Sequence, residues 1–134
     1  MEVRFSDDIR LEVSVQERVG LFGSWSLIEA EVFLNDTAAE FVWTRDYRSD
    51  EELEIMDILE KLESLLLGGQ KLLEQIEDSI AIVSFARDKV AQFISEGAIW
   101  DCVRLIASLL IGRYGSPIAA SQKLRQVREA FEKR

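Results

Sequence analysis

The sequence predicts an α+β fold: an N-terminal antiparallel meander of three to four strands packed against a C-terminal block of about four helices. Two observations predict it. Apolar residues alternate with period two through residues 1–47, then recur at steps of three and four from residue 49 onward. Strands and helices are also segregated along the chain rather than interleaved, which is the order of an α+β fold. A length of 134 residues suits one domain. Residues 1–134 are therefore expected to form a single unit, with a strand block (1–47) and a helical block (49–134).

The strands come first. Ile9, Leu11, Val13 and Val15 alternate with Arg10, Glu12, Ser14 and Gln16, as in a half-buried strand. A loop carrying Gly20 and Gly23 follows. Ile28, Ala30, Val32 and Leu34 then alternate with Glu29, Glu31 and Phe33. Asn35-Asp36-Thr37 has hairpin chemistry, because Asn and Asp tolerate positive φ. Ala38 to Tyr47 returns as a third strand around Phe41, Val42 and Trp43, and Val3 to Phe5 adds a short fourth.

The helical block opens at Ser49-Asp50-Glu51-Glu52, which reads as a capping box with Ser49 as the cap and Glu52 reaching back. Leu53, Met56, Leu59, Leu62 and Leu66 continue the first helix until Gly68-Gly69. A second helix is expected from about Gln70 to Glu96, with Leu73, Ile76, Ile80, Val83, Val90 and Ile94 on one stripe. Residues 80–85 fit a buried strand as well, since periodicity does not separate the two for short apolar runs. A third helix spans Ala98 to Ile111 and is apolar nearly all round, so it should be the most buried. Gly112 to Gly115 breaks it. Ser116-Pro117 starts a fourth, with Ser as cap and Pro in the first turn.

Composition excludes much chemistry. The chain contains no histidine, which removes Ser-His and Cys-His pairs and imidazole-based zinc sites. The one cysteine, Cys102, lies in the helix expected to be most buried and reads as a core residue. Gly68-Gly69-Gln70-Lys71 lacks the leading glycine and the hydroxyl of a phosphate-binding loop. No catalytic residue, metal ligand or cofactor is expected. A lone cysteine, no signal-peptide pattern over Met1 to Asp8 and no apolar run near the ~20 residues of a membrane span point to a cytoplasmic protein without a membrane partner.

Charge is the strongest functional signal. Residues 1–78 carry 20 acidic and 7 basic side chains, and residues 79–134 carry 5 and 9, within a net charge of −9. Eight carboxylates fall between Asp46 and Glu63. Asp50, Glu51, Glu54, Asp57 and Glu60 are the candidate partner-binding acids, with Trp25 and Trp43 as candidate aromatic anchors or, alternatively, core residues whose indole N–H is satisfied locally. Arg87 interrupts the apolar seam of the expected second helix and is the candidate for a buried ion pair. Tyr47, Arg45 and Arg48 near the sheet edge are candidate anion contacts.

These features point to a non-enzymatic binding module, of inhibitor, immunity or adaptor type, that meets a basic protein through an acidic surface. The alternative is a small-molecule site or enzyme in a pocket between sheet and helices. Nucleic acid is not expected as a partner, because only the last helix is basic and no aromatics interleave with its charges. Self-association through that basic helix, meeting the acidic first helix of its own or another copy, is compatible with either.

Overall fold

A computed structural model of the protein describes residues 1–68, 91–94 and 98–134. Strands β1 (Glu2–Arg4), β2 (Ile9–Gly20), β3 (Gly23–Leu34) and β4 (Thr37–Arg45) form an antiparallel sheet in sequence order. Helix α1 (Glu51–Leu67) follows, then β5 (Ala91–Ile94), which adds to β4 in parallel. Helices α2 (Ala98–Tyr114) and α3 (Pro117–Glu132) complete the described chain. This is the α+β class expected, with three helices among the described residues rather than four.

The expected helix from Gln70 to Glu96 is corrected at Ala91–Ile94, which is a strand. The free edge of β4 offers backbone partners there, and Phe and Ile suit a pleated surface, so pairing overrides the three-and-four spacing. The rest of that helix, Arg87 and residues 80–85 lie outside the described residues.

Two hairpins set the sheet register. At the β3–β4 turn Asn35 has φ +54°, the left-handed conformation that Asn accommodates. Between β2 and β3, Gly20 and Gly23 are not loop residues but the final strand pair, closed by Leu21-Phe22, with Gly23 supplying a φ of +136°.

The helix caps hold one correction. Asp50, not Ser49, caps α1, and its side chain accepts the Leu53 amide at 2.8 Å. Ser49 is committed elsewhere: its amide donates to Ser26 Oγ (2.9 Å) and its hydroxyl to Glu54 (2.8 Å). In α2, Gly112 is absorbed into the helix at a cost of about 1 kcal/mol. The stop comes at Gly115, whose φ of +87° ends the helix as its amide donates to the Ile111 carbonyl. Ser116 caps α3 as expected, with Pro117 at its first turn.

One face of the sheet is buried. Leu11 and Val13 of β2, Ala30 and Val32 of β3, and Phe41 of β4 point into a cluster shared with all three helices. Leu59 and Leu62 of α1, Ile106 and Leu110 of α2, and Leu124 of α3 fill it from the other side. Cys102 is fully buried there, and burial pushes its thiol pKa far up, so it packs as a small apolar residue.

A polar knot ties β4 to α1 at the edge of this core. Glu54 is 2% exposed, and its carboxylate accepts from Trp43 Nε1 (2.8 Å), Arg45 Nε (3.0 Å) and Ser49 Oγ (2.8 Å). Arg45 Nη2 continues to Asp57 at 2.8 Å, and Asp57 also takes Lys61 Nζ at 2.6 Å. Burial works against the Arg45 charge, but the hydrogen bond and charge of Glu54 outweigh it and raise the guanidinium pKa.

Removing the cation would leave a buried carboxylate held by neutral donors alone. Arg45→Met is therefore expected to lower stability by about 3 kcal/mol, read from the midpoint of a urea unfolding curve at constant slope.

Candidate partner-binding surface

The helix acids expected to face a partner are largely spent inside the protein. Asp50 caps α1, Glu54 is buried, and Asp57 bridges Arg45 and Lys61. Glu60 lies 3.6 Å from Arg128, which also holds Glu63 at 2.7 Å, and Arg134 reaches Glu52 at 3.4 Å. Arg128 of α3 and the following Arg134 thus fold back on their own α1. Of the five candidate acids, Glu51 alone is half-exposed in the first turn and engaged in no hydrogen bond or ion pair among the described residues.

The aromatic candidates separate. Trp43 is 4% exposed and serves the core through Glu54, which corrects its reading as an interface anchor. Trp25 is exposed, opposite Arg18 on the β2–β3 hairpin. Arg45, Tyr47 and Arg48 do not converge. Arg45 turns inward to Glu54, Arg48 is exposed 3.7 Å from Glu17, and Tyr47 is exposed.

Among the described residues, a second group of acids lies on the outer face of the sheet. Because the inward residues of each strand are apolar, the intervening positions point away from the helices. The strand registers place Glu2 opposite Glu12, Glu12 opposite Glu31, and Glu31 opposite Glu40. Four carboxylates therefore cross four strands in one row, at the spacing of about 5 Å that separates directly opposed side chains. Glu29 adds a fifth, two positions from Glu31 on the same face of β3.

Among the described residues, ion pairs form at only one end of this row. Arg4 lies 3.2 Å from Glu2, while Arg10 lies 3.9 Å from Glu2 and 3.7 Å from Glu12, with its guanidinium 3.8 Å over the Phe33 ring. No ion pair reaches Glu29, Glu31 or Glu40 among the described residues. Partial burial, and then the charges of Glu40, Glu12 and Glu29, raise the pKa of Glu31.

Clefts flank this sheet among the described residues. One of about 200 Å³ sits within the acidic face beside Glu12, Ser14, Glu29 and Glu31. Another, about 320 Å³, lies between β1 and α3, lined by Val3, Val127 and Phe131 with Arg4, Lys123 and Arg134 around them. Among the described residues no group of three carboxylates or thiols is arranged to hold a metal ion. Neither do any helices there have the length and apolarity to cross a membrane.

The acidic row escapes a sequence reading because it is a property of pairing. Glu12, Glu31 and Glu40 are separately ordinary polar positions. A two-residue turn at Leu21-Phe22 aligns the first two, and the Asn35-Asp36 turn aligns the third. Comparison of the chain with protein-family models, curated proteins and solved structures gave no match.

The raised pKa of Glu31 has a definite sign. Its charge costs stability once pH climbs through the folded-state pKa, and the cost is absent below the ordinary value of 4.5. Glu31→Gln is expected to stabilise the protein at pH 7 by about 0.5 kcal/mol, the scale of one opposed like-charge pair. Thermal or urea unfolding across pH 3 to 8 should show that gain vanish at the acid end.

Proposed function

We propose that the protein is a non-enzymatic binding module that engages a basic protein through the outer face of its sheet. The observation that carries this reading is the carboxylate row of Glu12, Glu31 and Glu40, with Glu29 beside it. Directly opposed like charges weaken a sheet, and among the described residues no ion pair reaches Glu29, Glu31 or Glu40, the charge of Arg10 offsetting only part of the repulsion at Glu31. A cationic partner surface supplies the missing counter-charge and relieves the repulsion.

Electrostatic complementarity of this kind mainly accelerates association and rejects wrong partners. The sign of the face selects a basic protein over nucleic acid, whose phosphates it repels. A role of inhibitor, immunity or adaptor type fits a chain that has no histidine and whose one thiol is buried with a strongly raised pKa.

The test is a pull-down with the tagged full-length chain at low and at high salt. A basic protein should be retained at low salt and released at high salt. Neutralising the face with Glu31→Gln and Glu40→Gln together should lower retention about tenfold, whereas Glu51→Gln on α1 should leave it unchanged. Retention that ignores both salt and the two sheet substitutions would remove the acidic face from the interface.

A further inference from the structure

The sheet narrows to two strands at one end. β4 stops pairing at Ser26↔Arg45 and β1 stops at Glu2↔Glu12, while β2 and β3 run on to Gly20↔Gly23. Every residue from 16 to 25 is exposed. At the tip Leu21 and Phe22 are exposed at 98% and 103%, with Val19 at 80% just behind them. No side chain from Val19 to Trp25 is charged. A two-residue hairpin turn ordinarily carries Asn, Asp or Gly, which water solvates well. Leu and Phe at these two positions contribute no packing to the protein's own core.

We propose that the Leu21-Phe22 tip is an apolar anchor that inserts into a cleft on the basic protein facing the acidic row. This rests on the reading of that row given above. The hairpin is an extension of the same sheet, and Glu29 lies six residues along β3 from Gly23, or about 20 Å. The partner is thus a protein with an apolar cleft roughly 20 Å from a basic patch. A buried aromatic anchor ringed by polar contacts is the usual core of such an interface.

Charge disfavours the other occupants. An anionic lipid surface would need a cationic collar behind the apolar tip. Here Arg18 and Arg48 are matched by Glu17 and Asp46, and Glu17 lies 3.7 Å from Arg48. A second copy would bring the same acidic chain, net −9, against the acidic face.

The experiment places a photo-crosslinking benzophenone amino acid at Phe22 of the full-length chain in its own cells, with the same probe at exposed Ile118 on α3 as control. One discrete protein adduct is expected at position 22 and none at 118. Its yield at limiting protein should fall about tenfold with Leu21→Ser, while the unfolding midpoint of that variant stays unchanged. It should also fall with Glu31→Gln and Glu40→Gln together. An adduct to lipid, to a second copy, or no adduct at all would overturn the anchor. So would a protein adduct indifferent to Leu21→Ser. Dependence on Leu21 without dependence on the two carboxylates would instead sink the acidic-face reading, and with it the assignment of both surfaces to one partner.

Discussion

The Glu54 carboxylate is the point at which the sheet and the helical layer are joined by something more directional than apolar contact. It gathers Trp43 and Arg45 from β4 and Ser49 from the connecting loop onto the first turn of α1. Apolar burial supplies the larger share of stability but leaves a helix free to slide or rotate over a sheet. A carboxylate with three geometrically defined donors does not permit that freedom. The knot sets the angle at which α1 leaves β4, and the positions of α2 and α3 follow from packing against α1. The desolvation cost of this charge is offset only while all its donors stay in place.

Acidic charge in this protein is divided between two uses. On α1 it is consumed by folding: one carboxylate caps the helix, one anchors it to the sheet, and three receive Arg128 or Arg134. On the outer sheet face it is left standing in a row, where it weakens the strands that carry it. Proteins tolerate such local cost where the charge serves something outside the fold. The same contrast holds for apolar residues. Among the described residues most large ones are in the core, while Leu21 and Phe22 are the most exposed and stand at the end of a two-stranded arm.

Much of the architecture is legible in the chain's local patterns. Period-two alternation in Ile9 to Val15 and Ile28 to Leu34 marks strands, and Ser116-Pro117 marks a helix start. Those signals arise from backbone geometry that each residue carries with it. They mislead where a local preference meets a competing partner. Ser49 looks like a cap, yet Ser26 and Glu54 claim its hydrogen bonds, so Asp50 takes the role. Ala91 to Ile94 fits a helical spacing but pairs with the edge of β4. Trp43 has the chemistry of an interface residue, but its indole N–H donates to the buried Glu54 and it sits in the core.

The sequence by itself determined the four N-terminal strands, the three described helices and their inward residues, the excess of acid in the first half of the chain and the absence of histidine chemistry. These depend on composition and on periodicities of two and three to four, which a linear chain displays directly. Tertiary structure alone decided which charges are paired and which are not. That outcome turns on register across strands and on which helix lies against which. Opposition of Glu12, Glu31 and Glu40, and the meeting of Arg128 with Glu63, join residues distant in the chain whose approach no local pattern encodes.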